Sequence, residues 1–223
     1  MPEYCANCDA EITFGGIIKA ANWKYDLQKI NLVNFVNKTE HVELCEKCGK
    51  EDYEAIFIDL TNKIDEDNAY IKNNISDFPM ITISQFPAHI LYKIKMMITA
   101  NVTVGTGFFS EFSQGVSDIF GRINTDTGMA YKVNSGEGTA RSILANKALS
   151  IGANCIIGVD IDYGTTANNA ATINMQGTAV SVSNLAEILD AGEFAKAQKI
   201  DEAYRNIIIR SAWLKGNFQD SIE

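Results

Sequence analysis

Apolar residues follow a helical and then an extended pattern between Ala140 and Tyr163. They recur at intervals of three and four up to Ile151, and Gly152 stands where a left-handed helix C-cap is expected. A strand rich in isoleucine follows at once. Alternation along that strand predicts one face with Cys155, Ile157, Val159, Ile161 and Tyr163 and another with Ile156, Gly158, Asp160 and Asp162.

Similar patterns predict the elements on either side. Strand patterns cover Met80–Ser84, Ile90–Val104 and Thr172–Ser183, and aromatic and branched residues spaced from Phe108 to Phe120 predict an amphipathic helix. The predicted order is therefore β-β-α-α-β-β.

The carboxy-terminal part predicts a helical tail. It begins at Asn184, with an interruption expected near Gly192, and apolar residues then alternate by three and four from Ala197 to Leu214. A seam of about two and a half heptads is short for an independent coiled coil. We expect this helix either to pack on its own domain or to cross to a neighbouring subunit.

The amino-terminal part predicts a different module. The stretch from Trp23 to Phe35 has the imperfect alternation of short strands or a hairpin, and helical spacing follows from Tyr53 to Ile64. Proline disfavours a helical conformation at the residue before it, so Phe78-Pro79 marks a boundary. We predict three segments, residues 1–78, 79–183 and 184–223.

Composition narrows the classes of function. The chain has 223 residues, of which 46% are hydrophobic, and a net charge of -9. Nonspecific binding to nucleic acid depends on concentrated Lys and Arg, so we expect no nucleic-acid partner. No apolar run approaches the roughly 20 residues needed to span a bilayer, and the first ten residues do not resemble a signal peptide. We expect a cytoplasmic protein with no membrane partner.

The cysteine spacing is the strongest chemical signal. Cys5 and Cys8 form one C-x-x-C pair, and Cys45 and Cys48 form a second. Each pair can direct two thiolates at one ion from a tight turn, and two pairs complete the tetrahedral sulfur shell that suits zinc. Because no position stays open for water or substrate, we predict a structural zinc site.

Two alternatives to zinc use the same cysteines. Two disulfides would need an oxidising compartment, and a redox C-x-x-C would not call for a second pair. In outline the segment resembles a treble-clef zinc module, whose last ligands lie at a helix start. Asp9 and Gly49 follow the second cysteine of each pair, where we expect a left-handed backbone.

The second segment carries a family resemblance. The runs V-T-V-G-T-G-F-F-S-E-F, G-V-S-D-I-F-G-R, I-G-A-N-C-I-I-G-V-D-I-D-Y and M-Q-G-T-A-V-S-V resemble the YbjQ-type family, which is described as heavy-metal-binding. The resemblance covers roughly Met80 to Ser183. It implies an α+β fold with a helix pair on a curved antiparallel sheet, and a ring-like homo-oligomer, commonly a pentamer.

Other residues could carry chemistry, although a structural role is the simpler interpretation of each. Asp160 and Asp162 share a strand face and could hold a cation or pair with basic residues. Gly105-Thr106-Gly107 could present N–H groups to a phosphate or form a turn. Cys155 with His41 or His89 is the one nucleophile and base combination, and a cysteine in an apolar strand is usually a packed thiol.

These observations support three hypotheses about function. The first is a non-enzymatic, homo-oligomeric assembly or binding protein, whose zinc module recognises another protein and which has no catalytic residues. The second is a metal sensor or sequestering protein that uses acidic residues such as Asp160 and Asp162. The third is a small-molecule hydrolase with a site between subunits, which needs an accessible Cys155 or paired carboxylates.

Overall fold

The computed structural model describes residues 2–13, 21–104, 129–165 and 170–218, with the backbone alone for 129–132. The chain forms two compact units. Met1–Asn68 and Arg205–Glu223 form the first, and Ala69–Tyr204 forms the second. The three predicted segments are a different division, and their boundaries stay a prediction.

The first unit begins with a two-stranded hairpin and two helices. Strands β1 (Glu3–Tyr4) and β2 (Glu11–Ile12) are antiparallel, and helices α1 (Leu27–Asn37) and α2 (Glu46–Asn74) follow. Only the first part of α2 belongs to this unit.

Helix α1 corrects the prediction of short strands between Trp23 and Phe35. Asp26 caps the helix, since its carboxylate accepts hydrogen bonds from the backbone N–H groups of Gln28 and Lys29. The buried residues of the helix are Ile30, Leu32 and Val33. Their imperfect alternation along the sequence had concealed the helical pattern. The helix ends at Lys38, which adopts a left-handed conformation with φ 55°.

A small core holds the helices of the first unit together. Leu32 and Val33 of α1 cluster with Ile56 and Leu60 of α2, and Trp213 packs against this cluster. The Trp213 ring also meets the Phe35 ring edge-on at 5.1 Å between centroids. Arg210 forms an ion pair with Asp67.

The second unit contains a three-stranded antiparallel sheet. Strands β3 (Tyr92–Val104), β4 (Cys155–Thr165) and β5 (Ala171–Val182) lie in the order β3-β5-β4. Helix α3 (Met129–Ser150) packs on the face that carries Val104 and Ile173. A Cβ on Gly136 would lie 2.3 Å from Ile173 Cδ1, so this glycine allows the helix to approach the sheet. Together with the helices, the two antiparallel sheets confirm the α+β class.

A bulge in β4 corrects the predicted faces of that strand. Between Ile157 and Asp160 the register gains one residue, and Gly158 has φ 60° there. The extra residue reverses the alternation, because side chains on a strand change face at every step. Asp160 and Asp162 therefore share the face of Cys155 and Ile157, although they were expected on the opposite one.

A cluster of buried hydrophobic residues covers part of the sheet face that is opposite to α3. Cys155 and Ile157 lie there with Phe86, Ile90, Val180, Val182, Leu185 and Ala197. Toward the other end, the same face carries exposed polar residues, with Asp160 opposite Gln176 and Asp162 opposite Asn174.

Three other predicted elements have different outcomes. The predicted strand Met80–Ser84 is not a regular strand, since it forms backbone hydrogen bonds to the start of β4 but only a single parallel bridge, from Met80 to Ile156. The strand over Ile90–Val104 is confirmed, although it begins at Tyr92. The predicted helix over Phe108–Phe120 lies outside the described residues, as does Gly105-Thr106-Gly107.

The C-terminal helix, α4 (Ala191–Leu214), is confirmed, but its interruption lies before Gly192. The Asp190 carboxylate accepts hydrogen bonds from the N–H groups of Gly192 and Glu193, so the helix starts here. A short 3₁₀ turn, Leu185–Glu187, precedes it. Ala197, Ile200 and Ala203 are buried in the single chain.

None of the helices in the described ranges is both long enough and apolar enough to cross a membrane.

Candidate metal centre

The first cysteine pair lies in the turn between β1 and β2. The Cys5 carbonyl accepts a hydrogen bond from the N–H of Asp9, and the N–H of Cys5 donates to the carbonyl of Ala10, both at 2.9 Å. Asp9 adopts the predicted left-handed conformation, with φ 56°. This turn carries Cys5 and Cys8, whose Sγ atoms lie within 4.8 Å of each other.

The second pair lies at the start of α2, as the resemblance to a treble clef implied. Cys45 immediately precedes the helix and Cys48 lies in its first turn. Gly49 is helical, which corrects the expected left-handed conformation. A glycine is required there for another reason, because a Cβ would lie 2.4 Å from Cδ1 of Tyr25. The two turns are joined by a hydrogen bond of 2.9 Å from the N–H of Ala6 to the carbonyl of Glu43.

These turns bring all four predicted ligands together. The Sγ atoms of Cys5, Cys8, Cys45 and Cys48 lie within 4.8 Å of one another. The Sγ atoms of Cys8 and Cys45 are 3.8 Å apart. Two sulfurs at about 2.3 Å from a tetrahedral ion are separated by about 3.8 Å, so this spacing fits one shared metal ion. All five cysteines of the chain are free thiols here.

The four cysteines differ in their exposure. Cys5 and Cys45 are buried in a small cluster with Ile30 and Leu44, and Cys48 packs at its edge. Cys8 is exposed and is not part of this cluster. One side of the cluster is therefore packed against apolar side chains and the other faces solvent.

Hydrogen bonding distinguishes Cys5 from the other thiols. Burial alone would raise the pKa of Cys5, but backbone N–H groups of Cys45, Asn7 and Cys8 favour the thiolate and hold its pKa at about 6. Burial, together with the neighbouring sulfurs, raises the pKa of Cys48 to about 12 and also raises the pKa of Cys45. In the metal-free chain, these backbone N–H groups therefore stabilise the thiolate form of Cys5.

The other candidate residues do not gather into a comparable site. Among the described residues, the four cysteines are the one group of three or more His, Cys, Asp or Glu side chains whose ligand atoms could hold a metal. Asp160 and Asp162 are exposed, and Asp160 accepts a hydrogen bond of 3.4 Å from Gln176. Cys155 is fully buried, and burial raises its pKa to about 12. It is not an accessible nucleophile.

Comparison with known proteins bears on the second unit. Residues 79–183 match the YbjQ_1 family, whose description is "Putative heavy-metal-binding". A UPF0145 protein from Clostridium botulinum strain Eklund 17B is 33% identical over 93 residues, which are 40% of this chain and 85% of the relative. Another UPF0145 protein, from Geobacillus thermodenitrificans strain NG80-2, is 34% identical over 89 residues, which are 39% of this chain and 81% of the relative.

The chain belongs to the YbjQ family. A crystal structure of a DUF74-family protein of unknown function from Pediococcus pentosaceus ATCC 25745 is also similar, with 15% identity and a TM-score of 0.32 over 47% of this chain and 96% of that one. The YbjQ match begins at residue 79, so all four clustered cysteines lie outside it. The family description therefore does not account for the cysteine cluster.

Sequence reasoning found the four cysteines but missed the residues that support them. Ile30 and Leu44 pack against the buried sulfurs, and Tyr25 lies against Gly49. Asp26, followed by apolar residues three apart, was the available signal for α1. The contact between Tyr25 and Gly49 depends on tertiary packing and has no local signature.

We expect metal binding at the cysteine cluster to strengthen as pH rises. Cys45 and Cys48 have raised pKa values, so at neutral pH both hold protons that a metal must displace. Cys5, with a pKa of about 6, adds to this dependence only below that pH. Titration with Co²⁺, whose thiolate complexes absorb visible light, at about one pH unit either side of neutrality measures the change. An affinity that does not vary with pH would contradict the assignment.

Proposed function

We propose that Cys5, Cys8, Cys45 and Cys48 hold one structural zinc ion, and that the chain is a non-enzymatic, homo-oligomeric assembly or binding protein. The observation that carries the zinc proposal is the convergence of four sulfurs within 4.8 Å. Four thiolates form a closed tetrahedral shell that zinc prefers and that leaves no position for substrate. When bound, the zinc ion would cross-link the two turns and would have no open coordination position for a reaction.

The sparse packing around the sulfurs supports a stabilising role. The cluster contains Ile30 and Leu44 as its fully buried apolar residues, with Ile12 and Tyr25 partly buried beside it. Full burial of one such aliphatic side chain contributes about 1.5–3 kcal/mol. A structural zinc site contributes on the order of 10 kcal/mol at neutral pH, so the metal would dominate the stability of this region.

Replacement of one buried ligand tests this role. Cys45→Ser is expected to lower the metal content from one ion per chain to near zero and to make residues 1–68 sensitive to protease. The matched control is Cys155→Ala, which removes a buried thiol from the other unit and should retain the metal. Elemental analysis and mapped proteolysis measure both effects. Equal metal content in the two variants would contradict a four-cysteine centre.

Self-association is supported by the free edge of the sheet. β3 is an edge strand, and no described strand pairs with its outer side. Four large apolar residues are exposed at the start of β3, namely Leu91, which precedes the strand, and Ile94, Met96 and Met97 within it. Ile94 is 68% exposed and Met97 is 66% exposed. An unpaired apolar edge is a surface for pairing with another chain. We propose that this partner is a second copy of the chain. The copies would form the five-membered ring that the family resemblance implies.

The opposite edge of the sheet has a complementary charge. Lys93 and Lys95 are exposed on β3, and Asp160 and Asp162 are exposed on β4. Contact between unlike edges joins copies head to tail, and such heterologous contacts form a ring when the rotation between neighbouring copies closes. Cross-strand pairs of opposite charge favour this pairing.

The proposed cellular role is display of the metal module by the assembly. Several apolar side chains of the first unit are exposed and suit a protein partner: Trp23, Leu27, Val42, Phe57 and Ile58. The net charge of -9 disfavours a nucleic-acid partner. We place the protein in the cytoplasm, away from membranes, because reduced thiols persist there.

A charge on the apolar edge is expected to break the assembly. Ile94→Glu should shift the native mass from an oligomer to a monomer, because it places a carboxylate in the contact. The variant should keep the fold of the subunit, because substitution of an exposed residue usually changes the free energy of unfolding by about 0.5 kcal/mol or less. Asn101→Glu, at an exposed position further along β3, is the matched control and should remain oligomeric. A wild-type protein that is monomeric by native mass spectrometry would overturn the proposal.

The second candidate function is metal sensing or sequestration by the YbjQ domain. Two observations favour it, namely the description of the family and the exposure of Asp160 and Asp162 on one sheet face. Two carboxylates are too few to enclose an ion, so copies around a ring would have to share it.

Asp160→Asn distinguishes the two functions. Metals other than zinc are titrated into the wild-type protein and the variant, and calorimetry measures binding beyond the cysteine cluster. The assembly function predicts no difference between them. Weaker binding in the variant would favour the second candidate.

A further inference from the structure

We propose that Cys8 is a thiol–disulfide exchange site, at which a low-molecular-weight disulfide oxidises the cysteine cluster and causes loss of its metal. This inference rests on the proposed zinc centre and adds to it a specific reactive sulfur and a class of reactant. It follows from the unequal surroundings of four chemically identical ligands.

Access to solvent separates Cys8 from the buried ligands. A thiolate attacks a disulfide along the line of the S–S bond, so the incoming molecule must reach the sulfur itself. Cys5 and Cys45 are 0% and 3% exposed and lie against Ile30 and Leu44, which leaves no approach from solvent. Cys8 is exposed and has no part in that packing.

Cys48 is the nearest competitor, and its surroundings are less favourable. Its side chain packs at the edge of the buried cluster and is only partly exposed. It also lies in the first turn of α2, where helical geometry restricts movement of its backbone. Cys8 lies in a hairpin turn that ends at Asp9, so its sulfur can move outward without disturbing a helix.

The short distance between Cys8 and Cys45 makes a second exchange step possible. In the first step the Cys8 thiolate attacks one sulfur of the small disulfide, the S–S bond breaks, and one small thiolate leaves with the electron pair. A mixed disulfide now occupies Cys8. Its sulfur lies near Cys45, since the two Sγ atoms are 3.8 Å apart before the reaction.

In the second step the Cys45 thiolate attacks the Cys8 sulfur and expels the second small thiolate. Two cysteine thiolates have then lost two electrons to form one disulfide, and one small disulfide has been reduced to two thiolates. Only Cys5 and Cys48 remain as thiol ligands. Two sulfurs do not complete the shell that held the ion, so the cluster releases its metal.

Peptide mapping after limited oxidation tests this proposal on the full chain. The metal content is measured first, and cystamine is then added below one equivalent per chain, because a small cationic disulfide suits an acidic protein. Samples are quenched in acid, and the cysteamine adduct is located by mass spectrometry while a chromophoric chelator reports metal release. We expect Cys8 to be modified at least about tenfold faster than Cys48, with metal release following it.

Two serine variants provide matched controls. Cys48→Ser should retain rapid modification at Cys8, and Cys8→Ser should lose the rapid phase altogether. The mapping on the wild-type chain decides the question even where a variant does not fold. Metal-loaded protein that is modified first at Cys48, or equally at several cysteines, overturns the exchange site alone. A preparation that contains no metal contradicts the proposed zinc centre and, with it, this inference.

Discussion

The part of the first unit that contains the four cysteines depends on the convergence of two short turns on one point. Each turn is made by local hydrogen bonds, one within a hairpin and the other at a helix start, and neither contains enough apolar surface to form a core. Besides the hydrogen bond from Ala6 to Glu43, the turns meet through four sulfur atoms within 4.8 Å of one another, which is close enough for all four to bind one ion. Without a cross-link, a cluster built around Ile30 and Leu44 would have little to offset the entropy of ordering its chain.

The second unit is stabilised in a different way. Its sheet has α3 on one face and a cluster around Cys155 and Phe86 on part of the other, which gives it an ordinary hydrophobic core. The family match is confined to residues 79–183, within this unit. The chain thus combines a YbjQ domain, which contains none of the four clustered cysteines, with an amino-terminal module that contains all of them.

Local signals predicted much of this architecture. Cysteine spacing identified the four clustered thiols, and Gly152 marked the end of α3 with φ 70°. Periodicity also identified β4 and the helix that follows Cys48. These features depend on residues close together in the sequence, so a pattern along the chain is enough to reveal them.

The errors arose where distant residues decide the conformation. The bulge at Gly158 reversed the faces of β4, and its position depends on the pairing with β5. Gly49 is required by the ring of Tyr25, which lies far from it in sequence. Helix α1 was missed because its buried residues, Ile30, Leu32 and Val33, follow an order that also resembles weak alternation, and they pack against two different clusters that are distant in sequence.

X-ray absorption at the zinc edge tests the central claim most directly, because it reports the number and kind of atoms around the metal. A site made of the four cysteines predicts a single shell of four sulfur atoms at about 2.3 Å, with no oxygen or nitrogen neighbours. A shell with fewer sulfurs, completed by lighter atoms, would show that the two turns do not close on one ion and would contradict the account.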